Sequence, residues 1–357
     1  MLRAGGAEVS LAGFRRSVLP VEEVEGIRPF DLGRTLDADL RQRVVHLAKV
    51  LLNFGRHLPA FADTDAFVAR NLEMLLIAIR ARALLGGRQP IIYECLDIHR
   101  QQISTRLTGR LIRRIESMML DRSQLLITSS PAFVTAYFKG LLGASVRTEI
   151  VENKVFDLEG KEMASRSRTA SPRWVIGWFG QLRCRRSFEI LRNVADQAGG
   201  LVKIVTAGRP AVAVFENFET LVAQSPHFSF LGPYRNPEDL SDLYGRVHFS
   251  WTVDYFEPGT NVRWPLPNRL YESGLYGAVP IALRDVETGE WLAQRKLGVL
   301  LTEPVEENLL EFFRSLTADA YIEHAAAIAR APRSTWVHDV ADCRRLVELM
   351  TGCCDTQ

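Results

Sequence analysis

Residues 266–282 read LPNRLYESGLYGAVPIA and combine a polar helix start, a glycine turn and an apolar strand. Arg269 lies in the polar start, Glu272 follows about one turn later, and Gly277 precedes the apolar end. A helix that ends near glycine and leads into an apolar run is typical of a parallel βαβ unit. A carboxylate placed there can accept hydrogen bonds from both hydroxyls of a ribose, and Arg269 can bind phosphate. The alternative is that Glu272 only complements the positive end of the helix dipole.

The same alternation of apolar strands and periodic helices extends along the chain and predicts an α/β fold with parallel sheets. In the first half, we expect strands at 8–13, 66–69, 90–94, 125–128 and 147–151. In the second half, we expect strands at 174–178, 202–207, 228–231, 247–251, 279–283 and 298–301. Helices are expected at 40–52, 72–85, 102–120 and 337–350.

The length of 357 residues predicts two domains, since single hydrophobic cores stop growing at roughly 250 residues. We expect an N-terminal Rossmann-like domain at 1–156, a polar linker at 157–172 and a second Rossmann-like domain at 173–335. The remaining helix and tail at 336–357 could pack back on the first domain. Because a helix tail with a glycine cap precedes the strand 8–13, we expect the first strand of the N-terminal domain to be missing.

The composition is that of a globular protein, with 47% hydrophobic and 24% charged residues. No apolar run approaches the roughly 18 residues that a membrane span requires, and residues 1–6 contain no apolar signal segment. The five cysteines are scattered, and the adjacent Cys353 and Cys354 lack the spacing of a zinc site. These features predict a cytoplasmic protein without a bound metal.

The net charge of +2 is unevenly distributed along the chain. Residues 1–150 contain 21 Lys and Arg against 15 Asp and Glu, a balance of 21 − 15 = +6, whereas the remainder has 23 − 27 = −4. This imbalance favours an anionic partner for the first half, although such charges often only solvate a surface. We expect no nucleic-acid partner.

The expected helix at 102–120 is amphipathic. Its polar positions carry Arg106, Arg110, Arg113 and Arg114. Its apolar positions carry Leu107, Leu111, Ile115, Met118 and Met119. Such a face could rest on anionic lipid, or the helix could be an ordinary surface helix of the first domain.

Ligands of parallel α/β sheets bind beyond the carboxyl ends of the strands, so residues that follow strands are the best site candidates. Gly180 and Arg183 follow the strand 174–178, and Arg185 and Arg186 open a helical pattern. Glycine lets backbone N–H groups approach an anion, and arginine binds phosphate through two parallel hydrogen bonds. This order of strand, glycine, arginine and helix predicts a diphosphate site. The alternative is a solvated basic turn.

Three titratable side chains lie at the end of the third expected strand, namely Glu94, Asp97 and His99. A general base must reach the hydroxyl that it deprotonates, and we expect Asp97 to be that base, with His99 or Glu94 as substitutes. Arg70 and Asn71 follow a neighbouring strand and are expected to position an acceptor. The alternative is a polar loop without a catalytic role. No third ligand is spaced to make a metal site with Asp97 and His99.

The motifs, taken in order, resemble GT-B glycosyltransferases, most closely the bacterial exopolysaccharide enzymes of the succinoglycan type. The resemblance is carried by the Gly and Arg loop after residue 178, FLGPY at 230–234, PNRLYE at 267–272, GAVPIA at 277–282 and IVEN at 150–153. It implies two Rossmann-like domains whose parallel sheets face a central cleft. It also implies that no metal or other cofactor is needed besides the nucleotide-diphosphate sugar, which is a co-substrate.

The resemblance also assigns roles to residues of the donor domain. Glu272 would hold the nucleotide ribose, and Arg183 and Arg269 would hold the diphosphate. Tyr234 would lie near the base. Gly180 and Asn268 would complete the donor site.

One position departs from the pattern of the widespread retaining subgroup. That subgroup has a second glutamate eight positions before the one that binds ribose, and here the position is Trp264. A retaining mechanism is therefore not inferred, and the catalytic role shifts towards Asp97.

The sequence thus predicts a transferase that moves a sugar from a nucleotide-diphosphate donor, expected to be a UDP-sugar, to a lipid-linked oligosaccharide in exopolysaccharide synthesis. The basic first domain would contact the inner face of the cytoplasmic membrane. Two alternatives stay open: a non-catalytic transferase-like scaffold of a polysaccharide assembly complex, and a sugar-nucleotide epimerase.

Overall fold

The computed structural model describes residues 1–36, 40–160, 170, 172–256 and 261–352. Most of the expected linker, at 161–169 and 171, lies outside the described residues, as do Cys353 and Cys354. The chain forms two compact units. Unit 1 comprises Met1–Ser129, Phe133–Val151 and the segment from Val340 onwards, and unit 2 comprises Ser130–Ala132 and Glu152–Asp339.

Strands and helices alternate through both units. The strands are β1 (Ala12–Arg15), β2 (Phe30–Arg34), β3 (Phe67–Ala69), β4 (Ile91–Cys95), β5 (Leu125–Thr128), β6 (Thr148–Ile150), β7 (Val155–Phe156), β8 (Trp174–Leu182), β9 (Val202–Pro210), β10 (Phe228–Phe230), β11 (Phe249–Trp251), β12 (Val279–Leu283), β13 (Val299–Leu301) and β14 (Val337–His338). The helices are α1 (Leu40–Leu52), α2 (Leu72–Leu84), α3 (Arg100–Ile103), α4 (Leu107–Leu120), α5 (Arg185–Gln197), α6 (Phe218–Ala223), α7 (Leu240–Gly245), α8 (Asn268–Leu275), α9 (Glu287–Arg295), α10 (Val305–Ser315), α11 (Ala318–Arg330) and α12 (Val340–Thr351).

Unit 1 is built on a parallel four-stranded sheet in the order β3-β4-β5-β6. Ile92 and Ile127 of this sheet pack with Leu346 and Met350, which belong to the C-terminal helix α12. The exposed pair of Arg345 with Glu149 lies beside this contact. The end of the chain is therefore part of the core of unit 1.

Unit 2 contains a parallel six-stranded sheet in the order β10-β9-β8-β11-β12-β13. The order reverses between β8 and β11, as in the doubly wound fold, and all the paired strands of the sheet are parallel. Its core includes the fully buried Trp174 and Trp251. The expectation of an α/β fold with parallel sheets is confirmed.

Two sequence-based boundaries were wrong, and one strand was not predicted. The strand expected at 8–13 begins at Ala12 and pairs with β2 in a sheet of its own. No apolar run marks β2, whose sequence FDLGR is half polar, and the strand was therefore not predicted. The helix expected at 337–350 begins at Val340, because the two residues of β14 pair with β7 instead.

The continuous helix expected at 102–120 is two helices, α3 and α4. The chain between them is extended at Ser104 and Arg106 and folds back so closely that a Cβ on Gly109 would lie 2.3 Å from the carbonyl oxygen of Ser104. The guanidinium of Arg113 donates hydrogen bonds to the carbonyl oxygens of Gln102 and Ser104. In a continuous helix, backbone N–H groups would donate to these two carbonyl oxygens, and here Arg113 donates to them instead.

Candidate functional site

Glycines line the carboxyl ends of three neighbouring strands in unit 2. Gly180 of β8 and Gly208 of β9 both have positive φ, at 105° and 131°. A Cβ on Gly208 would lie only 1.9 Å from the carbonyl oxygen of Gly180, so a larger residue does not fit there. The N–H of Gly208 donates to the carbonyl oxygen of Gly232, which follows β10. This edge of the sheet therefore consists of closely packed backbone without side chains at Gly180 and Gly208.

Glu272 lies on α8 with only 6% of its surface exposed. One of its carboxylate oxygens accepts a hydrogen bond from the amide of Asn236 at 3.1 Å, and the other accepts one from the hydroxyl of Tyr244 at 2.9 Å. Burial raises the pKa of Glu272, while the hydrogen bonds from Tyr244 and Asn236 and the charge of Arg269 oppose the shift. Each oxygen keeps a further lone pair that a hydroxyl of a ligand can use.

Tyr234 lies beside both Gly180 and Glu272. Its hydroxyl is 3.9 Å from the position that a Cβ on Gly180 would occupy. Burial and the negative charge of Glu272 raise the pKa of Tyr234 to about 12, so the phenol stays neutral at neutral pH. The structure thus brings together the glycine edge and two of the expected donor-binding side chains.

Arg183 and Arg269 converge on one carboxylate, that of Asp254. Their guanidinium nitrogens lie 3.5 and 3.6 Å from the same Asp254 oxygen. Arg269 is the more enclosed of the two, with 11% of its side chain exposed and its Nε buried without a hydrogen-bond partner. Arg183 also stacks on the ring of Phe256, at 4.6 Å from the ring centroid. Two cations facing one anion leave an excess positive charge, which suits a phosphate ligand.

The other expected basic residues of this region point to different partners. Arg185 donates to the carbonyl oxygen of Val214, and Arg186 pairs with Glu303 at 2.8 Å. Asn268 is the exposed first residue of α8. Of the three arginines after β8, only Arg183 therefore joins the Arg269 cluster.

In unit 1 the structure pairs two of the expected site residues, Arg70 and Glu94, in an ion pair. They come from adjacent parallel strands, with Ala69 opposite Tyr93. The side chain of Asn71 accepts a hydrogen bond from the N–H of Met74 and caps α2. Asn71 therefore has a structural role at the same edge of the sheet.

Asp97 and His99 lie on the exposed loop between β4 and α3. One oxygen of Asp97 accepts from the N–H of Ile98 at 2.9 Å, and the Nδ1 of His99 accepts from the N–H of Gln101 at 3.3 Å. Within the described ranges, no three His, Cys, Asp or Glu side chains are grouped to hold a metal ion.

Sequence reasoning missed three residues that complete the unit 2 site: Asn236, Tyr244 and Asp254. Asp254 follows β11 at the carboxyl edge, so the rule that selected Arg183 could also have selected it. The contacts of Asn236 and Tyr244 with Glu272 carry no local sequence signal, because they join residues 36 and 28 positions apart.

Comparison with solved structures identifies the fold. HepE from Anabaena, in a complex with UDP-glucose, matches with a TM-score of 0.65 and 17% identity over 92% of this chain and 86% of HepE. WaaG, a glycosyltransferase involved in lipopolysaccharide biosynthesis, matches with a TM-score of 0.56 and 13% identity over 99% of this chain and 92% of WaaG. The fold is that of the GT-B glycosyltransferases.

Sequence comparison gives the family. The chain belongs to the family of the succinoglycan biosynthesis protein ExoL from Rhizobium meliloti (strain 1021), with which it shares 44% identity over 354 residues, 97% of this chain and 87% of ExoL. No family model matches the chain. The expected family and the expected GT-B fold are therefore confirmed.

The buried Glu272 leads to a prediction about ligand binding and pH. Glu272→Gln should weaken UDP binding at pH 7 by at least about tenfold, because the neutral amide accepts hydroxyl hydrogen bonds less strongly than a carboxylate. Since the folded-state pKa of Glu272 is raised above 4.5, ionising it disfavours the folded state. The free energy of unfolding of the variant relative to wild type should therefore increase as the pH rises from about 4.5 through the folded-state pKa.

Titration calorimetry and urea denaturation across this pH range measure both effects. Glu303→Gln is the matched control, because Glu303 is an exposed glutamate of the same unit that pairs with Arg186. It should change neither UDP affinity nor the pH profile. Unchanged UDP affinity in Glu272→Gln would contradict the assignment of Glu272 as the residue that accepts hydrogen bonds from the ribose.

Proposed function

We propose that unit 2 binds the diphosphate and ribose of a nucleotide-sugar donor, a UDP-sugar, at the carboxyl edge of its sheet. The observation that carries the proposal is the placement of Arg269 and the buried Glu272 within one turn of α8. Glu272 accepts hydrogen bonds from the ribose hydroxyls, and Tyr234 lies near the base. UDP is favoured as the nucleotide because HepE, which shares the fold, has been solved with UDP and with UDP-glucose.

Arg183 and Arg269 bind the diphosphate in this proposal. In the structure they share Asp254 at 3.5 and 3.6 Å, distances of loose ion pairs. A diphosphate offers more charge and more acceptor oxygens than a single carboxylate, so it displaces Asp254 as their partner. The same arginines stabilise the negative charge that develops on the leaving diphosphate.

Unit 1 binds the acceptor, a growing oligosaccharide that is lipid-linked. Asp97 takes the proton of the acceptor hydroxyl, the hydroxyl oxygen forms a bond to the anomeric carbon of the donor sugar, and the bond to the diphosphate breaks. The exposed Asp97 and His99 are accessible to such an acceptor, with His99 or Glu94 as substitute bases. Arg70 and Asn71 position the acceptor at the neighbouring strand end.

Sugar transfer tests the donor assignment. Purified protein should transfer sugar from a UDP-sugar to an oligosaccharide acceptor, and Arg269→Met should lower turnover by about 100-fold, as for other groups that stabilise a leaving charge. Arg263→Met is the control, because Arg263 is an exposed arginine of the same unit that pairs with Asp285, and it should stay within about twofold of wild type.

Two outcomes would support the rival functions. A folded wild type that neither binds UDP nor turns over would indicate a scaffold. Accumulation of an epimerised nucleotide sugar without any acceptor would indicate an epimerase.

We also propose that α4 places the protein on an anionic membrane surface, the inner face of the cytoplasmic membrane. No helix in the described ranges has the length and apolar character needed to cross a bilayer. Four aliphatic side chains of α4 nevertheless point to solvent, with exposures of 81, 59, 39 and 60%. They are Leu107, Leu111, Ile115 and Met118. Their spacing of four, four and three residues puts them in one stripe.

Charge around the stripe favours an anionic partner. Arg106, Arg110 and Arg114 are exposed, whereas the only acid of α4, Glu116, is fully buried. Met119, which sequence analysis placed with the apolar face, is buried in the protein and does not belong to the stripe. An apolar stripe flanked by exposed arginines is typical of helices that lie in the interface of anionic lipid.

Vesicle sedimentation tests the membrane contact. The protein should bind vesicles that contain phosphatidylglycerol more tightly than pure phosphatidylcholine vesicles, and the double variant Leu111→Ser/Met118→Ser should weaken binding at least about tenfold. Val212→Ser is the control, because Val212 is 84% exposed in unit 2. Equal binding of the wild type to both kinds of vesicle would contradict the proposal. A wild type that forms a dimer through the stripe and does not bind lipid would also contradict it.

A further inference from the structure

Glu116 is a fully buried carboxylate inside unit 1, and the donor and acceptor assignments do not use it. Three elements supply its hydrogen-bond donors. The hydroxyl of Tyr93 on β4 lies 2.9 Å from one oxygen, and the side-chain amide of Gln102 on α3 lies 3.0 and 2.9 Å from the two oxygens. Tyr137, on the helical segment Phe133–Lys139, donates to the second oxygen.

The burial of this group makes the network sensitive to the loss of any member. Burial raises the pKa of Glu116, and the donors Tyr137, Gln102 and Tyr93 oppose that shift. Burial and the charge of Glu116 likewise raise the pKa of Tyr93, so it remains a protonated donor. A polar group left unpaired in such surroundings is costly, so the native structure keeps every partner of this carboxylate hydrogen-bonded.

Gln102 connects this network to the loop that carries Asp97 and His99. Its side-chain oxygen accepts the N–H of His99 at 2.8 Å. Because the backbone N–H of His99 can only donate, the amide oxygen of Gln102 must face His99, and the amide nitrogen then faces Glu116. Glu116 thus accepts from the amide nitrogen of Gln102, and the amide oxygen holds the backbone of His99.

The rest of the loop is held from the same side. Ile98 is buried, with 1% of its surface exposed. The thiol of Cys95 donates to the carbonyl oxygen of Asp97 at 3.4 Å, and its pKa is raised to about 12 by burial and by Glu116, so the proton is retained. The side chains of Asp97 and His99 are therefore exposed, while hydrogen bonds from buried residues and the buried Ile98 hold the backbone that carries them.

We propose that Glu116, acting through Gln102, is a positioning residue that fixes the loop bearing Asp97 and His99 in the geometry needed for acceptor deprotonation. The proposal rests on the function proposed above for Asp97. Misplacing a catalytic group by about 1 Å can reduce a rate by about 100-fold, so an indirect contact of this kind affects turnover. Donor binding should be unaffected, since the donor residues belong to unit 2.

The experiment compares two glutamine-to-methionine substitutions. Each removes a side-chain acceptor of a backbone N–H, one after the carboxyl end of β4 and the other at its amino end. Gln102→Met removes the partner of the His99 N–H at the carboxyl end. Gln124→Met removes the partner of the Ile91 N–H, 2.7 Å away, at the amino end. Both should lower the melting temperature, but only Gln102→Met should lower kcat, by at least about tenfold, with KM for the UDP-sugar unchanged.

A conservative variant and a spectroscopic measurement separate positioning from general damage. Glu116→Gln keeps an oxygen that can accept from Gln102, so its kcat should stay within about threefold of wild type. The ring resonances of His99, observed by NMR among the seven histidines of the chain, should shift in Gln102→Met and remain in place in Gln124→Met.

Each outcome decides one of the two proposals. Wild-type kcat in Gln102→Met, or equal loss in Gln124→Met, would overturn the positioning role while leaving transfer intact. An unmoved His99 resonance in Gln102→Met would overturn it even if the protein had no measurable activity. Full activity in Asp97→Asn would overturn the base assignment instead, whatever the resonances show.

Discussion

The buried carboxylate of Glu272 is the interaction on which the unit 2 site depends. A charge removed from water must be satisfied by hydrogen bonds, and two of its donors come from segments far away in sequence, Asn236 and Tyr244. These contacts bring the chain after β10 and the helix α7 against α8. The two hydrogen bonds thus fix the orientation of the carboxylate, as the proposed recognition of two hydroxyls requires.

The parallel sheet determines what surrounds that carboxylate. Because β8 and β9 stay paired through Leu182 and Pro210, the glycine contact between Gly180 and Gly208 lies beyond the paired end of β11. The residues after β11 supply Asp254, which holds Arg183 and Arg269 together in spite of their mutual repulsion. The site therefore combines a backbone edge, a hydrogen-bonded carboxylate and two arginines that share one ion-pair partner.

The parts of the fold that sequence predicted well are those governed by buried periodicity. Val279–Leu283 and Leu125–Thr128 are buried along their whole length, so an apolar run marks each boundary. The strand at residues 30–34 was missed because it is partly polar and forms by pairing with β1. The break between α3 and α4 was missed because hydrogen bonds from the side chain of Arg113 stabilise it. Glu116 looks like a surface acid in sequence, since only the tertiary fold brings Tyr93, Gln102 and Tyr137 to it.

The candidate site also contains residues that local sequence predicts and residues that only the tertiary fold brings together. The rule that ligands bind at carboxyl strand ends selected Gly180 and Arg183 from local sequence, and the structure places Arg183 with Arg269. The contacts of Asn236 and Tyr244 with Glu272 depend on the tertiary fold, whereas Asp254 follows a strand end that the same rule covers. The roles of Arg183, Arg269 and Glu272 towards a nucleotide stay predictions.

A crystal structure of the protein with UDP tests the central claim most directly, because it shows which side chains the nucleotide contacts. The account predicts the ribose hydroxyls on the Glu272 carboxylate and the diphosphate on Arg183 and Arg269, with both arginines released from Asp254. Nucleotide bound elsewhere, or a diphosphate that leaves the pairs with Asp254 intact, would contradict it.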